Sequence, residues 1–161
     1  MKLPAASCRE SSILREGITH SNRQATGMRS LLDLLIMKQQ DKSIIVVDDD
    51  APLLATLGAM LESRGWSVTL CADGSSAIQN VMARSYDAVL IEFSLPDIRG
   101  HVVTETLRMI MPRAYIIGMS FQDRQEEFLA AGADSFLLKP FDTGEVNRIA
   151  GMYGSRTRDM A

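Results

Sequence analysis

The segment YDAVLIEFSLPDIRG, residues 86–100, contains four apolar residues in succession, Ala88, Val89, Leu90 and Ile91. A strand with one wet face alternates polar and apolar residues, whereas an unbroken apolar run of this length predicts a strand covered on both faces. The run ends on a carboxylate, Glu92, and the chain breaks at Pro96. In an open parallel sheet the carboxyl ends of the strands are where sites are built, so Glu92 is the first candidate site residue.

On either side of this strand, short apolar runs alternate with helical patterns from residue 42 onward. Ser43 to Val47 is rich in β-branched residues. Leu53, Leu54, Leu57, Met60 and Leu61 recur at helical spacing within 51–64, up to Gly65. Trp66 to Cys71 predicts a second strand, and Asp73-Gly74 turns into a helix carrying Ala77, Ile78, Val81 and Met82. After the opening strand come a helix at His101 to Ile110, a strand at Ala114 to Met119 and a short helix at Arg124 to Ala131. A strand at Ser135 to Leu138 and a helix from Thr143 to Met152 complete the series. Alternating strands and helices require right-handed crossovers and a parallel sheet with helices on both faces. The expectation is an α/β, doubly wound, five-stranded flavodoxin-like fold of strand order 2-1-3-4-5.

The remainder divides into a leader and a tail. Residues 1–27 are polar without hydrophobic period and are expected to be disordered. In 28–41, Met28, Leu31, Leu32, Leu35 and Ile36 share one helical face. Two readings stand for this stretch: a helix that packs on the body or pairs with a second copy, or a region upstream of a true start at Met28 or Met37. The domain spans 42–153 and the tail 154–161. With so few residues after the last helix, a single domain without an output module is expected.

Composition removes several function classes. Residues 1–42 carry seven Lys/Arg against four Asp/Glu, and the rest ten against sixteen, so the body is at −6 and the leader at +3. An acidic body is a poor nucleic-acid surface, and no direct DNA or RNA partner is expected. No apolar stretch approaches the roughly 18 residues of a membrane span, and no signal-peptide core is present, which suggests a cytoplasmic protein without a membrane partner. Cys8 and Cys71 lack metal-ligand spacing and suggest two reduced thiols.

If the strands align, Asp48 and Asp49, Glu92, Ser120 and Lys139 converge at one edge. Two like charges about 4 Å apart cost roughly 4 kcal/mol at an effective dielectric of about 20. A divalent cation, the Lys139 ammonium or a retained proton must offset that cost. Oxygen donors without His or Cys favour Mg²⁺. Pro140 directly after Lys139 permits a cis bond that would aim the lysine.

IIVVDDD, YDAVLIEFSLPDIRG, AAGADSFLLKPF and Ser120 together resemble the receiver domain of two-component response regulators, over about residues 43–152. The resemblance implies that Asp48, Asp49 and the backbone carbonyl of Ser94 hold Mg²⁺ together with the residue at position 92. It implies that position 92 accepts a phosphoryl group from a histidine kinase. Ser120 would hydrogen-bond that group, Lys139 would pair with it, and Phe136 would take the place of the aromatic switch.

Three departures modify those expectations. Glu92 stands where the family has Asp. The extra methylene moves the carboxylate by up to about 1.5 Å, and a misplacement of about 1 Å costs on the order of a hundredfold in rate. The longer carboxylate would instead reach Lys139 or Ser120 and imitate a phosphorylated aspartate. Phe121 follows Ser120 in place of a small residue; its ring would either close the pocket or point into the neighbouring helix. Ser120 and Lys139 are 139 − 120 = 19 positions apart, about three fewer than is usual and close to one turn of about 3.6 residues, so the intervening helix should be short.

The expected function is an atypical receiver in phosphorelay signalling, phosphate-independent or constitutively active, and not an enzyme. Its partners would be a histidine kinase, a phosphotransferase or another signalling protein, with homodimerisation through 28–40 or the face beside strand five. The alternative is a Mg²⁺-dependent phosphatase or phosphotransferase using the same acidic cluster, but no second acid or base is evident for it. His101, the nearest candidate, reads more simply as a solvated surface histidine. A nucleotide-binding module lacks a glycine-rich phosphate loop.

Overall fold

The computed structural model describes residues 8–10, 42–142, 144–146, 148 and 151. The amphipathic stretch 28–40 and the tail lie outside the described residues. Strand β1 is Cys8–Glu10, β2 Lys42–Val47, β3 Trp66–Cys71, β4 Ala88–Glu92, β5 Tyr115–Ser120 and β6 Ser135–Leu138. Helix α1 is Ala51–Glu62, α2 Gly74–Ala83, α3 Gly100–Ile110 and α4 Gln125–Ala130. Residues 144–146, 148 and 151 are also helical.

The sheet order is β1-β3-β2-β4-β5-β6. The five strands β2 to β6 pair in parallel, and counted among themselves they run 2-1-3-4-5, as the alternation predicts. The sixth strand is a correction. Residues 8–10 lie within the stretch expected to be disordered, yet they pair antiparallel with the outer edge of β3, Cys8 opposite Cys71. Cys71 is disulfide-bonded, and no cysteine among the described residues is free, which corrects the expectation of two reduced thiols. An edge strand presents unpaired backbone groups to any passing segment, and a pairing between segments so distant in the chain leaves no local signal.

Both sheet faces are covered. On one side α1 packs Leu54, Leu57 and Leu61 over Ile44, Val46, Leu90 and Ile117. On the other, α2, α3 and α4 bring Ala77, Val81, Val103, Leu107 and Phe128 against Ile45, Val89 and Ile116. The central strand β4 is therefore buried along its whole length, as its unbroken apolar run requires.

The helix starts fix the loops at the strand ends. Asp50 caps α1, its carboxylate accepting from Leu53 N–H at 3.0 Å, and Asp73 caps α2 through Ser76 N–H at 2.7 Å. Helix α4 has only six residues and a single buried one, Phe128, in keeping with the short interval between Ser120 and Lys139. Its ring lies so close to Gly118 that a Cβ there would sit 2.2 Å from it. Among the described residues no helix is long and apolar enough to cross a membrane.

Candidate functional site: an acidic pocket at the strand ends

The three aspartates after β2 take three different tasks. Asp48 turns inward and is 1% exposed; its backbone N–H donates to Cys71 O at 3.0 Å, and its Oδ1 accepts from Asp50 N–H at 2.9 Å. Asp49 is exposed on the pocket wall, and Asp50 caps α1. The end of β4 supplies Glu92, whose Oε1 accepts from Ser94 N–H at 3.0 Å. Gly100 closes the loop behind it with N–H donating to Phe93 O at 2.8 Å. A Cβ on Gly100 would lie 2.0 Å from the Glu92 carbonyl oxygen, so the turn from β4 into α3 needs glycine.

Lys139 follows β6 and is buried between the carboxylates. Its backbone N–H donates to Ser120 O at 2.7 Å, and the Lys139–Pro140 bond is cis. Nζ lies 2.5 Å from Asp48 Oδ2 and 2.5 Å from Glu92 Oε2. The first contact is a directed hydrogen bond; the second is a close ion pair without hydrogen-bond alignment. Burial works against the ammonium, but the adjoining carboxylates of Asp48 and Glu92 outweigh it and hold the Lys139 pKa above its ordinary value. Burial likewise pushes the Asp48 carboxyl up, against the lowering effect of Lys139 and of Asp50 N–H. Two buried carboxylates thus share one cation.

These groups open on a cavity of about 430 Å³ lined by Asp48, Asp49 and Asp50, by Glu92 and Ser94, and by Phe121 and Lys139. Phe121 was open between two orientations in the sequence. Its ring lies on the pocket, 5.1 Å from Lys139 Nζ. Ser120 stands apart from that lining: it is buried, and its hydroxyl accepts from Gln122 N–H at 3.2 Å. Phe136 is partly buried with its ring 5.9 Å from that of Phe128. His101 also lies off the lining, stacked on Phe93 at 5.0 Å.

The donor chemistry suits a hard divalent cation: carboxylates on one wall, with neither His nor Cys in the lining. Among the described residues no three acidic, His or Cys side chains already form a metal cage, so such an ion would rely on backbone and water oxygens as well.

Asp97 escaped sequence reasoning. Its carboxylate accepts from Gly74 N–H, Ser75 N–H, the Ser75 hydroxyl and Ile98 N–H at 2.6–2.9 Å. It thereby ties the loop after β4 to the start of α2. An Asp after Pro96 reads as a turn residue, and Gly74 and Ser75, more than twenty positions earlier, give no local signal.

Comparison with known proteins agrees with this geometry. The model of the response regulator receiver domain matches residues 44–150. Similar curated proteins include the probable transcriptional regulatory protein TcrX of Mycobacterium tuberculosis, 34% identical over 66% of this chain and 47% of that protein. The cell cycle transcriptional regulator CtrA of Caulobacter vibrioides is 30% identical over 64% of this chain and 46% of its own length. The chain thus spans about half the length of these relatives. Among solved structures, the receiver domain of the sensor histidine kinase PA1611 of Pseudomonas aeruginosa, with magnesium in its active-site cleft, is 32% identical. It covers 70% of this chain and 96% of its own, with TM-score 0.63. The chemotaxis response regulator CheY4 of Vibrio cholerae shares the fold at TM-score 0.66 and 20% identity, over 70% of this chain and 98% of its own. With the same strand order, the acidic pair, the Lys-Pro and a family match over more than half its length, the chain belongs to the response regulator receiver domain family.

Proposed function

We propose that this chain is a receiver module of two-component signalling that works as a protein-interaction unit without being phosphorylated. The observation that carries this reading is the contact of Glu92 Oε2 with Lys139 Nζ at 2.5 Å in a buried site. The lysine that would pair with an incoming phosphoryl group is already paired with the residue at the acceptor position. Glu92 Oε1 is also engaged, by Ser94 N–H, so the carboxylate is held back from in-line attack. The longer side chain acts as the built-in counterpart of a phosphorylated aspartate.

Mg²⁺ would be held by Asp48, Asp49 and the Ser94 backbone carbonyl, with Glu92 as a further donor when released from Lys139. When bound, the ion neutralises phosphoryl or carboxylate oxygens. Lys139 provides the same neutralisation from within the chain. Ser120 and Phe136 are the switch residues, and a histidine kinase or phosphotransferase is the class of partner. The module acts in the cytoplasm and performs no turnover of its own.

The test is intact mass of the full chain after incubation with Mg²⁺ and an acyl phosphate. The expected spectrum shows no gain of a phosphoryl group. A gain that maps to Glu92 overturns the proposal. In parallel, Glu92→Ala should shift the amide resonances of β6 and of Phe136, because it removes the partner that holds Lys139.

A further inference from the structure

The Lys139 ammonium has three N–H donors. Asp48 accepts from one of them at 2.5 Å, and the Glu92 carboxylate lies beside Nζ at 2.5 Å as an ion pair. A third approach is covered by the ring of Phe121, 5.1 Å from Nζ. The backbone makes this placement firm: Ser120 is the cross-strand partner of Leu138, and Lys139 N–H donates to Ser120 O at 2.7 Å. Residues 121 and 139 therefore leave the sheet from adjacent points. Lys139 is 6% exposed while Phe121 is 69% exposed. The ring stands at the mouth and the ammonium behind it.

We propose that Phe121 is a specificity-determining residue of this pocket, a cap over Lys139 that bars anionic phosphoryl donors independently of the carboxylate at position 92. The π face of a phenyl ring is electron-rich; it attracts the ammonium it covers and repels the oxygens of an approaching phosphate. A donor approaching from the mouth meets the ring before it reaches the ammonium. The ammonium is thus guarded twice, from inside by Glu92 and at the mouth by Phe121. The inference rests on the proposed function in taking position 92 as the acceptor position.

The chemistry of the test is a simple group transfer. The carboxylate oxygen introduced by Glu92→Asp attacks the phosphorus of an acyl phosphate, the bond from phosphorus to the acyl oxygen breaks, and the acid leaves with that electron pair. Neither a net proton transfer nor a redox partner is needed.

The experiment compares full-length Glu92→Asp, Glu92→Asp/Phe121→Ala and Glu92→Asp/Phe121→Tyr, each incubated with Mg²⁺ and an acyl phosphate, by the initial rate of phosphoryl gain in intact mass. Because the ring is largely exposed, its truncation leaves the core packing in place. The alanine double variant is expected to gain the phosphoryl group on the order of tenfold faster than Glu92→Asp alone. The tyrosine variant keeps the ring and should stay at the slower rate. Equal rates in Glu92→Asp and the alanine double variant, including no uptake by either, overturn the proposal. So does a tyrosine variant as fast as the alanine one. Uptake by the wild type would instead sink the phosphate-independent reading while leaving the ratio between variants to decide on Phe121.

Discussion

At the scale of single residues, the site is governed by two carboxylates and one ammonium removed from water. Asp48, Glu92 and Lys139 are all buried, and a charge in that position is tolerated only with a partner. Replacing Lys139 by Met would leave two unpaired buried carboxylates. The expected loss is about 3–5 kcal/mol at neutral pH, read from urea unfolding. Burial already pushes the Asp48 carboxyl up and Lys139 opposes that rise, so without the cation the variant should recover part of its stability as pH falls and Asp48 protonates. A Lys139→Met protein as stable as wild type at neutral pH would mean that the ammonium is not what compensates them. The members of this triad were legible in the sequence because each follows an apolar strand. That the Lys139 ammonium could offset the carboxylates was among the alternatives; that it contacts both Asp48 and Glu92 depends on how three strand ends meet.

At the scale of elements, the starts of α1 and α2 are set by aspartates, two local and one remote. Asp50 and Asp73 cap the helices that follow them, a pattern visible in sequence. Asp97 serves α2 from across the loop. Desolvation pushes its carboxyl up, but hydrogen bonds from Ser75, Gly74 and Ile98 prevail and hold its pKa at about 2, below the ordinary 3.8. A lowered folded pKa means that the ionised carboxylate stabilises the fold above the ordinary value and that this contribution disappears as pH falls through about 2. Asp97→Asn should therefore cost roughly 1 kcal/mol or less near pH 7, since the group is largely exposed and screened. The gap from wild type should narrow between about pH 4 and pH 2 in parallel denaturation series. A gap that stays constant over that window would show that charge plays no part in the cap. Helix α4 shows a different balance: the interval in sequence announced its shortness, whereas the seating of Phe128 on Gly118 became visible only in three dimensions.

At the scale of the whole molecule, the parallel sheet and its two covered faces follow from the alternation of apolar runs and helical periods. The added edge strand and the bonded Cys71 do not. Alkylation of the denatured, unreduced protein should leave Cys71 unmodified, and reduction should render it reactive, both read by peptide mass. Modification of Cys71 before reduction would remove the disulfide from the description.

The sequence by itself determined the order of elements, the five parallel strands and the residues that stand at their ends. Those features are written locally, as hydrophobic period, turn residues and caps, and each is set by neighbours within a few positions. The tertiary structure alone decided that Phe121 faces Lys139 rather than a helix, that Asp97 caps a helix begun more than twenty residues earlier, and that residues 8–10 extend the sheet. Each of these depends on contacts between segments distant in the chain. Such contacts are selected by burial, charge and edge pairing in the assembled fold, and no local pattern encodes them.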